Sequence, residues 1–194
     1  MKTWRTQRAF FAMQKALVAF ALVILTSCST VMLISDYDAD TDKQLSALQQ
    51  STDIFISRMT AEIPKWERTK RSEKNSYDVQ KKFYSEFDDK LRLLEFRVQS
   101  IPKNSKTQKL VADIRAAVLL PDNLAKQCEQ EGLVIKEGEE TQFNSLQSMH
   151  CLQENKAAGP SRMALEISQR NINQVIGAAL TLEVAKKQGT EVNK

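Results

Sequence analysis

Three cysteines, one histidine and 24 acidic residues are the side chains of this 194-residue chain that could carry chemistry. Cys128 and Cys151 could pair with each other or, with His150 beside the second, contribute to a metal site. Adjacent residues 150 and 151 point in different directions, and no other histidine exists, so no metal centre is expected. A serine–histidine–aspartate triad would have only His150 as its base, in a segment that reads as a flexible loop with no placed partner. One histidine also excludes a di-iron bundle, which needs two Glu-x-x-His pairs. Neither a Gly-x-Ser-x-Gly elbow nor a phosphate-binding Gly-x-x-x-x-Gly-Lys loop is present. Asp88, Asp89, Glu86 and Glu95 lie among basic neighbours on a predicted helix and read as ion-paired surface. The expectation is a non-enzymatic protein with no catalytic residue and no cofactor.

Cys28 is a different case. It ends "LTSC" inside the apolar run "LVILTSCSTVML", residues 22–33. Ahead of it stand Lys2, Arg5, Arg8 and Lys15, then the apolar stretch Ala16–Leu25, with no acidic residue before Asp36. Basic start, apolar middle and small-residue end are the order of a secretory signal. Leu25-Thr26-Ser27-Cys28 resembles the lipobox of bacterial lipoproteins. The resemblance implies that Cys28 takes a diacylglycerol thioether, that cleavage falls before it, and that its new amino group is acylated. The competing reading is an inner-membrane protein with an uncleaved helix over 16–34, long enough to cross a bilayer. The small polar block 26–30 in the middle of that span argues against it. Two or more acyl chains suffice for stable anchoring where one does not.

Without residues 1–27 the chain has 167 residues, the size of one domain. Its charge changes too. Four of the 28 basic residues leave, so 24 face 24 acidic ones and no electrostatic footprint for nucleic acid remains. In an oxidising periplasm, Cys128 and Cys151 read as a disulfide, with two free buried thiols as the competing reading.

The remaining chain is helical by pattern. Apolar residues recur at three and four, and strand-like β-branched runs are lacking. A first helix is expected over Thr41–Ile63, with Leu45, Leu48, Thr52, Phe55 and Met59 on its seam and a capping box at Thr41/Gln44. A second is expected over Ser76–Ile101, where Tyr77, Tyr84, Phe87, Leu91, Leu94, Val98 and Ile101 fall on heptad positions. The third starts at Ser105 with Gln108 as its capping partner and carries Leu110, Ile114, Ala117, Val118 and Leu120; Pro121 should kink or end it before a continuation to Cys128. The last starts near Gly159-Pro160-Ser161, carries Met163, Ile167, Ile172, Val175, Ile176, Ala179, Leu180 and Leu182, and should stop at Gly189. Asn171 and Asn173 are expected as polar contacts in the core. Trp66 with Arg68 and the aromatic run Tyr77, Phe83, Tyr84 and Phe87 could line a ligand cavity, but at heptad spacing the run is expected in the core. The fold class is thus all-α: an antiparallel up-down bundle of about four helices with a long disulfide-closed loop, preceded by a signal peptide. The domains are 1–27 signal, 28–40 lipid anchor and tether, and 41–194 bundle with loop 129–150.

That loop, in which Phe143, Leu146 and Met149 suggest a short helix within 139–152, is unusually long and therefore a candidate partner contact, with a passive insertion stapled for stability as the competing reading. Up-down topology brings it to the membrane-distal pole beside the connector Pro64–Ser76. The connector is basic (Lys65, Arg68, Lys70, Arg71) and the loop acidic (Glu137, Glu139, Glu140), so these seven residues are the partner-binding candidates; two solvated charged loops are the competing reading.

"YDADTDKQLSALQ", "SIPKNS" and "LTLEVAKKQG" resemble segments of small helical lipoproteins of Gram-negative bacteria. The resemblance implies an envelope location, and Ser29 after the lipid-bearing cysteine implies the outer membrane rather than the inner, facing the periplasm. The expected partners are the membrane, through the anchor, and another envelope protein. The alternative function is an envelope enzyme or small-ligand carrier with its site inside the bundle.

Overall fold

A computed structural model describes residues 35–134 and 144–192; Cys28, the signal segment and the candidates Glu137, Glu139 and Glu140 lie outside the described residues. The described chain is helical: α1 (Ala39–Ala61), a 3-10 turn (Glu73–Asn75), α2 (Tyr77–Ser100), α3 (Ser105–Val118), α4 (Asp122–Gln130), α5 (Leu146–Cys151), α6 (Gln153–Lys156) and α7 (Arg162–Val192). Among the described residues no helix is long and apolar enough to cross a membrane.

The heptad seams of the first two helices are where the spacing puts them. Leu45, Leu48, Thr52, Phe55 and Met59 are buried on α1, and Tyr77, Tyr84, Phe87, Leu91, Leu94 and Val98 on α2, while Ile101 falls just past the end of α2 and is only half-buried. With Val111, Ile114 and Val118 of α3 and Leu165, Ile172, Ile176 and Ala179 of α7 they form one core. In that core α1 packs on α2 and α7, and α3 packs on α2 and α7.

The helix ends differ from the sequence expectation. Asp38, not Thr41, caps α1: its carboxylate accepts from the Thr41 N–H at 3.0 Å and the Thr41 hydroxyl at 2.5 Å. The helix starts at Ala39, so Thr41 is buried inside its first turn and gives its N–H to the cap instead of acting as one. Asn104 precedes α3, while Gln108 reaches back to the Val98 carbonyl of α2, joining two helices instead of closing a capping box. The last helix does not stop at Gly189 but runs to Val192. Its buried stripe also differs, because Met163 and Ile167 are exposed while Ser168, Glu183 and Lys186 are buried. Asn171 is exposed, and Asn173 binds Asp53 of α1 at 3.0 Å from the flank of the core. A polar pair takes over where the apolar residues of the seam run out.

After Pro121 the chain continues helically past Cys128, as α4, and the short helix suggested within 139–152 is α5, which carries Leu146, Ser148, His150 and Cys151 into the interior. The correction is to His150, which is buried rather than held in a flexible loop. Cys128 and Cys151 form the disulfide, both sulfurs buried, with Cα atoms 5.3 Å apart. Beside it the chain after α4 pairs with the end of α5, the Leu133 N–H donating to Cys151 O and the Gln153 N–H to Leu133 O.

Candidate functional site

The residues that could act sit in two buried clusters and on one exposed connector. The first cluster surrounds His150. Its Nε2 lies 3.0 Å from the carbonyl of Asn75, which only accepts, so Nε2 carries the proton and Nδ1 is a bare acceptor for the Tyr84 hydroxyl. Tyr84 also packs edge-on against Phe55, and the Asn75 side chain donates to the Met59 carbonyl, tying the network to the end of α1. Burial pushes His150 down to about 4 from its ordinary 6.5, and pushes the Tyr84 phenol well up. Both groups are neutral at every physiological pH. His150 is therefore a structural histidine with both ring nitrogens engaged, not a base in a mobile loop.

The second cluster joins α3, α7 and the start of the described chain. Lys186 Nζ donates to Glu183 Oε1, Asn104 Oδ1 and Thr107 Oγ1, each at 2.7 Å, and Thr107 donates to the same carboxylate oxygen. Ser35 donates its hydroxyl to Asn104 and its N–H to the Lys103 carbonyl. Lys103 holds that carbonyl in place from the left-handed region, φ 59°. Nearby, Arg97 grips Asp38 with two bonds of 2.6 Å, which hold that carboxyl well below the usual carboxylate range. Sequence reasoning missed this cluster, though one signal was legible: Glu183 and Lys186 continue the three-four spacing of Ile172, Ile176 and Ala179.

The basic connector is held against α6 and α7. Arg68 pairs with Glu166 at 3.3 Å and Arg71 with Glu154 at 3.4 Å, and the Arg68 carbonyl accepts from the Met163 N–H. Lys70 pairs with Glu67, and Lys74 with Glu62. The acidic partners are thus local or on α6 and α7. Gly159, at φ +73°, lies so close to the Asn75 backbone that a Cβ there would stand 2.6 Å from its carbonyl oxygen. On this braced connector Lys65 is exposed, and Trp66 is 83 % exposed.

Between α2, α3 and α4 lies an open depression of about 500 Å³, lined by Lys81, Lys82, Asp88, Asp122, Glu129 and Tyr77, among others. The one carboxylate buried among the described residues, Glu183, is elsewhere and already ion-paired. Among the described residues no group of three His, Cys, Asp or Glu side chains could hold a metal ion. No family model, no curated protein and no solved structure matches the chain.

Proposed function

We propose that the chain is a lipid-anchored, periplasm-facing envelope lipoprotein, held at the outer membrane through Cys28, and that its domain is a non-enzymatic module for binding another envelope protein. Its long helices α1, α2, α3 and α7 run up and down as an antiparallel bundle. Three end-to-start contacts support that arrangement. Arg162, opening α7, donates to the carbonyls of Thr60 and Ile63 at the end of α1. Arg97, near the end of α2, reaches Asp38 at the start of α1. Lys186, near the end of α7, reaches Asn104 just before α3.

Trp66 carries the binding reading. A tryptophan left 83 % exposed on a connector braced by ion pairs and a backbone bond is a rigid apolar anchor without a pocket of its own. Such residues dominate protein–protein hot spots. Lys65 beside it supplies charge at the rim. The alternative, an enzyme or ligand carrier, would have to use the open depression, whose lining mixes lysines and carboxylates.

The anchor is tested by the intact mass of protein extracted from membranes: loss of residues 1–27 and gain of three acyl groups is expected, and the full-length mass overturns it. The binding pole is tested by site-specific photo-crosslinking from position 65 in cells. One protein adduct, lost in Trp66→Ala, is expected; an adduct unaffected by that change overturns the assignment of the pole.

A further inference from the structure

The domain leaves a second surface unpaired. Ile54 is 60 % exposed, Val79 61 %, Leu93 69 % and Phe96 77 %, and all four belong to the groove between α1 and α2. On α2 the groove residues Val79, Phe83, Glu86, Lys90, Leu93 and Arg97 recur at four and three, which is one stripe along a helix. Two depressions of about 370 and 460 Å³ lie along that stripe, with the apolar groups set among Arg58, Lys82, Glu86, Lys90 and Arg97.

The charges along the strip are mostly of one sign. Arg58, Lys82, Lys90 and Arg97 line the groove and Glu86 is its acidic member. Glu86 is spent on Lys82, and Arg97 on Asp38 and Asp40. Arg58 bonds the neutral Gln80, so it and Lys90 leave the strip positive. Against a second copy in a two-fold arrangement, such a strip would meet its own sign. Against an anionic lipid surface it is complementary: apolar and aromatic side chains enter the headgroup boundary while the basic ones reach the phosphates.

Chain length supplies the second argument. Ser35 is fixed to the domain by Asn104 and Lys103. It stands seven positions after Cys28, a reach of at most about 25 Å. A domain whose α1 is 23 residues long cannot move farther from its membrane than its own length.

We propose that the α1–α2 face is a membrane-contact surface, lying on the anionic phospholipid leaflet in which the segment before Ser35 is anchored. This rests on membrane attachment of that segment, not on Cys28 bearing lipid, since a retained apolar helix would bring the same face to the same surface.

The test uses the full chain, purified in detergent and reconstituted into vesicles of phosphatidylethanolamine and phosphatidylglycerol, with benzoylphenylalanine replacing Phe96, Ile54 or, as a control on α3, Asp113. Flotation of the vesicles reads the anchor separately; protein that does not float overturns the attachment and this inference with it. In floating vesicles, ultraviolet light should give lipid adducts by intact mass from positions 96 and 54, several-fold above position 113, and fewer when phosphatidylcholine replaces phosphatidylglycerol. Equal adducts at all three positions overturn the proposal with the anchor intact, and covalent dimers from 96 and 54 assign the strip to a second copy instead.

Discussion

At the end of the bundle that holds the disulfide, His150, Tyr84 and Asn75 form a chain of neutral groups, each donor matched to an acceptor. At the other end Lys186 and Glu183 form an ion pair within the core. There Glu183 Oε2 has no hydrogen-bond partner among the described residues. The neutral network lets short helices α4 to α6 close over the aromatic core, and a covalent bond holds them there. The charged one gains little net stability, because burying an ion pair sacrifices hydration that its attraction only partly restores. What it fixes is register. Lys186 reaches three oxygen atoms on two helices, so only one rotation and height of α7 against α3 satisfies it.

The comparison is broken most severely at the charged end. Lys186→Met leaves Glu183 buried without its cation and is expected to lower unfolding free energy by about 3–5 kcal/mol in chemical denaturation. Glu183→Leu with Lys186→Met should recover most of that loss while weakening the definition of register, read as broadened amide resonances of α7. A double variant as unstable as the single one would show that the pair stabilises rather than specifies.

At the neutral end, Cys128→Ala with Cys151→Ala removes closure of a loop of about 24 residues and should cost roughly 3 kcal/mol on the chain-entropy account. His150 adds a pH dependence of comparable size. Its folded value of about 4 lies below the unfolded 6.5, so the unfolded chain binds the proton first as pH falls. Stability is intact above 6.5 and declines by up to about 3 kcal/mol between there and 4. In His150→Gln the slope of stability across that window should flatten; an unchanged slope would mean other groups carry it.

A smaller effect belongs to Asp38→Ala, about 1 kcal/mol for a lost helix cap. Because Arg97 depresses the Asp38 carboxyl, the contribution is present above the ordinary carboxylate range and fades as pH drops below it. The smallest is Trp66→Ala, expected within about 0.5 kcal/mol of wild type since it buries so little. Its consequence should appear in binding alone.

The same contrast explains what was legible in the sequence. The seams of α1 and α2 are apolar at heptad spacing, so Leu45 or Leu91 announces its own burial. Cys128 and Cys151 could be paired from compartment and parity. On α7 apolar spacing points to Met163 and Ile167, which are exposed, and passes over the far end of the seam, where the buried residues Glu183 and Lys186 are polar. His150 was unreadable for a different reason: its acceptor is the backbone of Asn75, 75 positions away, and no local pattern records a backbone carbonyl. The connector lysines and arginines were legible as charge, but whether they face solvent or α7 depends on Gly159 letting the chain press against Asn75.

Arg162 has a consequence for the order of events. The carbonyls ending α1 at Thr60 and Ile63 receive their side-chain donors from a residue about a hundred positions later. Among the described residues the first long helix is thus finished by the last, and the end of α1 gains these donors only once residue 162 has been made.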